Sequence, residues 1–400
     1  MTALRHSHVL APTLGIVWSV VMAITVTVTL SFANGEPYRP NMLLSLLIGA
    51  AIGFAVIQGK LFAIAAAVVA VALGVIGFGQ IHAANAWTIG AFVGHITTAG
   101  LTAYGLMVML AGTPKGPLTR HEYEEALIRC MTGVGYIFFT AIVLIPFYVM
   151  VMTSLKNQSE LLLNPLDFSL DLSRGTDLLR SYTELFADFN FGTYLVNSFI
   201  ISVITVIITL AFSIPGAYAV ARLRFKGRAA FSRSILLIYM VPMIVLALPI
   251  YIAFSLTGLR NSIIGIVLIY PVTTIPVALY MLQGYFRGLP AEVEEAGLMD
   301  GLSRLAVIWK ITLPLSLPAL ASVSLYVFMI AWNEFLLAFM LLDDPSKFTL
   351  TRGIASLNSS EIPRQHLMAG AVIATVPIMA LFLGLERFMT KGLTAGSVKG

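Results

Sequence analysis

Charged residues are scarce in this chain: 11% of its 400 residues are Asp, Glu, Lys or Arg, 58% are hydrophobic, and the mean hydropathy is +0.91. A single soluble core cannot hide that much apolar surface, so an ordinary globular protein is excluded and lipid must serve as solvent. Cysteine occurs once, as Cys130, which rules out an internal disulfide framework. There is no G-x-x-x-x-G-K-[ST] loop to cradle a nucleotide phosphate. His95 has no second His, Cys or carboxylate at metal-ligand spacing, so it reads as an interhelical hydrogen-bonding residue and no metal site is expected. No basic residue falls inside a long apolar run, which argues against a voltage sensor or a lysine relay.

Apolar runs fill most of the chain. Ten of them, near 10–33, 42–58, 61–83, 88–111, 133–153, 195–221, 234–256, 262–283, 316–342 and 367–386, are candidates to cross about 30 Å of hydrocarbon as helices. The expected fold is therefore an all-α, polytopic helical membrane protein. The first run follows a nine-residue head and has no small-x-small cleavage site after it, so it reads as a retained helix. With loops alternating from a cytoplasmic N-terminus, 16 of the 24 Lys and Arg residues lie inside and 8 outside. That bias places both termini in the cytoplasm, and the net charge of +5 reports sidedness, not nucleic acid.

Residues 1–112 read as an accessory transmembrane region of about four spans. Gly49, Ala51 and Gly53, and separately Gly74 and Gly77, offer small surfaces for close helix approach. Residues 113–132 read as a cytoplasmic connector in which Thr119, with Glu122 three residues on, caps a short interfacial helix. The remaining six spans, 133–400, carry Pro215, Pro242, Pro249, Pro271, Pro276 and Pro377. These are expected to interrupt the helices, either as packing kinks or, given their clustering in four of the six spans, around a transport pathway.

Between the last two pairs of spans lies a polar stretch, EEAGLMDGLSRLAVIWKITLPL, from Glu294 to Leu315. Pro290 fits a first helical turn, and Glu292, Glu294 and Glu295 put negative charge at its positive end. Asp300-Gly301 supplies a stop, Ser303 a cap for a second helix, and Pro314 a terminator. The expected product is a helical hairpin with Leu289, Val293, Leu298, Leu302 and Leu305 available for burial against a partner. Solvated surface helices would carry the same caps.

The order Glu-Glu-small-small, Asp-Gly, nine residues, then Ile-x-Leu-Pro resembles the cytoplasmic EAA loop of permease subunits of ATP-binding-cassette importers. AYAVARLRFKGR, IPVALYMLQGYFRGLPAEVEEA, WNEFLLA and the tail KGLTAGSVKG resemble the carbohydrate-uptake branch of that family, the tail its maltose-permease G-type subunit. The resemblance covers about 133–400. It implies a six-helix permease core, here preceded by about four extra transmembrane helices, in a multi-pass protein of the cell (inner) membrane. It also implies a second permease of the F type, a dimer of cytoplasmic ABC ATPases and an extracytoplasmic sugar-binding protein. No cofactor would be bound by this chain, and ATP would be used by the ATPase subunits. The coupling positions would be Glu294, Glu295, Ala296, Gly297, Asp300, Gly301, Ile311, Leu313 and Pro314. One departure stands out: Gly297 occupies the position where the family usually has a second alanine.

Within the last spans, Trp332, Asn333 and Glu334 join an aromatic face to planar polar groups suited to a sugar, and an intramembrane carboxylate is a functional candidate by default. An interhelical hydrogen-bond knot fits the same three residues. The loops 154–194 and 343–366, the latter with Lys347, Arg352 and Arg364, are expected either to meet the binding protein or only to cap helices. A secondary transporter of a small polar solute is the alternative on composition, but internal repeats and intramembrane proton carriers other than Glu334 are missing.

Overall fold

The computed structural model describes residues 5–83, 87–164 and 167–394, without the side chains of 236, 238, 239 and 386–394. The last six residues of the tail, 395–400, which carry part of the resemblance, lie outside the described residues. The chain divides into two compact units, Met1–Leu178 and Leu179–Gly400.

In the first unit, α1 (Ser7–Asn34) leads to a two-residue strand β1 (Arg39–Pro40), then α2 (Met42–Gln58), α3 (Lys60–Val75), β2 (Ile81–His82) and α4 (Ile89–Met109). After these come α5 (Arg120–Ser154) and the short α6 (Gln158–Leu163). Strands β1 and β2 pair antiparallel, with Arg39 opposite His82. The loops after the first and third helices therefore lie on one side. The N-terminus meets the connector after α4, where Ser7 N–H donates to the Gly116 carbonyl at 2.9 Å and Leu118 N–H to Arg5 at 2.7 Å.

Glycines set the closest approach in this unit. A Cβ on Gly15 would sit 2.1 Å from the Gly49 carbonyl oxygen, and one on Gly53 would sit 2.2 Å from that of Ala11, so α1 and α2 touch backbone to backbone. Gly49 and Gly53 thus serve as expected, with Gly15 as their unforeseen partner, while Ala51 faces outward. Gly74 abuts the His95 imidazole, and Gly79 closes the same slot. Gly77 packs on nothing; its φ of +94° serves the turn that ends α3.

The connector differs from expectation. Thr119 and Glu122 do form a capping box, with Thr119 N–H donating to Glu122 Oε2 at 2.8 Å. However, α5 runs on for 35 residues, through Gly133, Gly135 and Pro146. The boundary expected at 132/133 falls inside this helix, and there is no separate interfacial helix.

The second unit contains α7 (Arg180–Asp188), α8 (Phe191–Arg222), α9 (Arg228–Tyr239), α10 (Met243–Leu256), α11 (Ile263–Gly288), α12 (Ala291–Met299), α13 (Arg304–Val307) and α14 (Leu313–Leu315). It ends with α15 (Leu317–Asn333), α16 (Leu336–Leu341), α17 (Leu350–Ser356) and α18 (Arg364–Thr394). One apolar core gathers Phe191, Tyr270, Phe328, Trp332 and Leu350; another gathers Tyr218, Ala278, Leu282, Phe286 and Val327.

Each of the ten apolar runs contains helix, yet among the described residues six single helices are long and apolar enough to cross a membrane: α1, α4, α5, α8, α11 and the 364–385 part of α18. A further apolar pair, Arg304–Leu315 and Leu317–Asn333, is bent by 82°, the geometry of a broken span or a re-entrant loop. Helices α2, α3 and α10 are shorter than the expected ten full spans demand; 14 residues in α10 reach only about 21 Å at 1.5 Å per residue. Most of the six prolines do not end a helix. Pro215, Pro249, Pro271, Pro276 and Pro377 lie inside continuous helices, and only Pro242 stands at a break, before α10. Neighbouring helices tolerate the missing donors.

Candidate functional site

The hairpin begins where Pro290, at φ −59° and ψ 123°, stands just before α12 and not inside its first turn. Asp300 closes α12, and Gly301, at φ +86°, turns the chain in the left-handed region that disfavours side chains. A Cβ at Gly301 would meet nothing within 4 Å, so glycine is needed for backbone conformation alone. Ser303 then caps α13 by accepting from Ala306 N–H at 3.3 Å. Pro314 does not terminate the second helix as expected. A wide π turn over Ile308–Thr312 precedes it, helix continues to Leu315, and the sharp bend falls at Ser316.

Within α12 two adjacent glutamates are sorted by helix geometry. Glu295 and Ala296 are exposed, whereas Glu294 is 5% exposed and points back into the protein. There Tyr218, near the end of α8, donates from its hydroxyl to Glu294 Oε2 at 3.2 Å, and Thr312 donates to Oε1 at 3.1 Å. Arg222 Nε stands 3.4 Å from Oε2 as an ion pair, and another nitrogen of the same guanidinium donates to the Leu289 carbonyl at 2.7 Å. A carboxylate buried with these partners is strongly held, and leaving one such charge unpaired typically costs about 3–5 kcal/mol.

Gly297 is buried, and its position accounts for the departure from alanine. A Cβ there would come within 2.5 Å of Ile311 Cδ1, so the missing methyl makes room for Ile311 inside the hairpin. Leu313 is partly buried behind it, and Asp300 and Pro314 are exposed. The apolar set expected to face a partner needs correcting. Leu289, Leu298 and Leu302 are partly buried within the chain, and the exposed large apolar residues are Val293, Leu305, Leu315, Met299 at 88% and Trp309 at 65%. Sequence reading missed Met299 and Trp309, and it missed Tyr218, Arg222 and Thr312 as partners of Glu294. The first two lie at i+6 and i+16 from Val293, outside the i+3, i+4 and i+7 spacing that marks one helix face.

Trp332, Asn333 and Glu334 come together at the junction of α15 and α16 but are not equally available. Trp332 is 2% exposed, stacks on Phe328 with ring centroids 5.5 Å apart, and donates its indole N–H to the Ala374 carbonyl at 3.1 Å. Its faces are therefore not open to a sugar. Asn333 is exposed and donates to the Met329 carbonyl at 2.9 Å. Glu334 sits at the break itself, where its carboxylate accepts from Leu337 N–H at 2.8 Å and Ala338 N–H at 3.1 Å, starting α16. Thr351 donates to the Glu334 carbonyl at 2.6 Å, and Tyr270 faces the carboxylate.

At the expected outer loops, Lys347 pairs with Asp344 at 3.2 Å, and the Arg352 guanidinium lies between the rings of Phe339 and Phe348, 4.6 and 4.4 Å from their centroids. Arg364 is exposed. Glu184 on α7 meets Arg180 at 2.7 Å and His366 at 2.7 Å, and hydrogen bonding from Arg180, then from His366, holds its carboxyl below the usual glutamate range. Among the described residues no group of three or more His, Cys, Asp or Glu is arranged to hold a metal.

Residues 213–394 match the family model of the binding-protein-dependent transport system inner membrane component. The chain is 38% identical over 281 residues to the inner membrane ABC transporter permease protein YcjP of Escherichia coli, covering 69% of this chain and 99% of that protein. It is 34% identical over 281 residues to the trehalose/maltose transport system permease protein MalG of Thermococcus litoralis, with the same shares covered. Among solved structures, a chain of a bacterial ABC transporter involved in import of the acidic polysaccharide alginate superposes with a TM-score of 0.57 at 23% identity, over 67% of this chain and 98% of that one. That last likeness speaks for the fold alone. Taken with the apolar helices and the hairpin, relatives matched over nearly their whole length make this chain a multi-pass membrane protein of the binding-protein-dependent transport system inner membrane component family.

Proposed function

We propose that the chain is one of two permease subunits of an ATP-driven importer for a carbohydrate, a di- or oligosaccharide, α-glucoside or polyol. The observation that carries this reading is the match to a trehalose/maltose permease along 99% of that relative. In this reading the hairpin is the coupling element. Glu295, Ala296, Met299 and Trp309 offer an exposed acidic and apolar surface to a cytoplasmic ATPase, one of a dimer, and ATP is bound and hydrolysed there and not on this chain. Nucleotide binding closes the ATPase dimer, the hairpin moves, and the spanning helices reorient the pathway towards a loaded extracytoplasmic binding protein. A second, F-type permease completes the pathway.

Both termini lie in the cytoplasm in this reading. The basic-residue bias supports it. The six-span core begins in the second part of α5, near 133, and 1–112 is an added region. Asn333 and Glu334 stand as pathway residues, with Trp332 holding their junction. Loop 343–366 contacts the binding protein through exposed Arg364.

Deletion of the gene, followed by uptake of a panel of labelled α-glucosides, other disaccharides and polyols with complementation by the intact chain, tests the reading. Loss of one class that the intact chain restores supports it; unchanged uptake of every sugar in a host shown to lack a redundant system refutes the carbohydrate assignment.

A further inference from the structure

We propose that Glu294 is a positioning residue that locks the coupling hairpin to the C-terminal end of α8, so that displacement of the hairpin is carried into a spanning helix. This rests on the coupling role proposed above. The two glutamates of α12 then have separate tasks: exposed Glu295 faces outward, and Glu294 faces the chain itself.

Three features of the geometry support this. First, the carboxylate gathers groups from two other elements, Tyr218 and Arg222 on α8 and Thr312 in the π turn, and Arg222 also holds the Leu289 carbonyl just before α12. Second, the end of α8 is itself braced, since Arg228 donates to the Val220 carbonyl at 2.6 Å and to that of Ala221 at 2.9 Å. Third, the hairpin contains two places where a push could be absorbed, the left-handed turn at Gly301 and the 82° bend at Ser316. A cross-link between the start of the hairpin, its far arm and α8 keeps those joints from taking up the motion.

The chemistry asks for a carboxylate. An ionised carboxylate only accepts, so it can take both hydroxyl protons and face a guanidinium at once. Glutamine would turn an N–H donor towards one of these donors. In a buried setting such a contact is strong when complete and poorly tolerated when one member is wrong.

The test uses the whole importer, purified through a tag on this chain and placed in lipid nanodiscs, with spin labels at Met299→Cys on the hairpin and Phe212→Cys on α8 in a Cys130→Ser background. The probe is a non-hydrolysable ATP analogue. With Glu294 intact, the distance between labels stays fixed on nucleotide binding because hairpin and α8 move as one body. In Glu294→Gln, and in Tyr218→Phe, which keeps the ring and removes one hydrogen bond, the distance shifts and broadens with nucleotide. A nucleotide-driven shift as large in the intact chain as in both variants, or no shift in any of them, overturns the lock. Glu295→Arg separates the two ideas: loss of the ATPase from the purified complex supports the coupling role, and full retention with unchanged ATP hydrolysis refutes that role whatever the labels report.

Discussion

Restoring alanine at Gly297 sets two effects of similar size against each other. Alanine within a helix is favoured over glycine by about 1 kcal/mol. The new Cβ would lie 2.5 Å from Ile311 Cδ1, although its next neighbours, Leu302 Cδ1 at 3.4 Å and Val307 Cγ2 at 3.7 Å, are ordinary contacts. Ile311 Cδ1 is the free end of a side chain, so relief needs a turn of that side chain away from its rotamer minimum, at about 0.5–1.5 kcal/mol. Gly297→Ala alone should therefore fall within about 1 kcal/mol of neutral. Ile311→Val removes the obstructing methyl, and in that background Gly297→Ala should stabilise by the full helical preference of about 1 kcal/mol. For a unit of this size that corresponds to roughly 2–4 °C in melting temperature. Thermal unfolding of the purified protein in detergent, run on both single variants and the double, measures the coupling. Equal effects of Gly297→Ala in the two backgrounds would refute the claim that Ile311 is what requires glycine.

At Gly301, where nothing crowds a side chain but φ is +86°, Gly301→Leu should cost about 1–2 kcal/mol through backbone strain and abolish uptake, while Gly301→Asn, better suited to that region, should retain more of both; normal uptake in the leucine variant would discredit the turn's role. Glu334→Ala should destabilise by about 0.5–2 kcal/mol by removing the acceptor at the start of α16, and Glu334→Gln should recover most of that stability; uptake lost in a stably folded glutamine variant would assign the charge itself to the pathway. The folded-state pKa of Glu184 is depressed, so its contribution is present above the unfolded carboxyl value of about 4.3 and is lost as pH falls through the folded value. The melting-temperature gap between wild type and Glu184→Gln should therefore hold at neutral pH and close as pH falls through the depressed folded value; a gap independent of pH would contradict the assignment.

Much of the protein was legible in the sequence because membrane helices must satisfy their own backbone and bury apolar length, which a linear pattern records directly. The helical polytopic class, the family, the capping box at Thr119, the stop at Gly301 and the cap at Ser303 are all local matters of composition, spacing and backbone preference. What the folded chain alone decided depends on neighbours distant in sequence. No pattern distinguishes Glu294 from Glu295, yet a step of one residue around α12 sends one to Tyr218, Arg222 and Thr312 and the other to the surface. Ile311, fourteen positions on, explains Gly297; Gly15 explains Gly49; and Phe328 and Ala374 remove Trp332 from any ligand. Helix continuity was likewise a tertiary outcome. Five prolines that local rules mark as interruptions sit in unbroken helices, where neighbouring helices can re-satisfy the freed carbonyls, while the sharp break before α15 falls at Ser316, two residues from both Pro314 and Pro318.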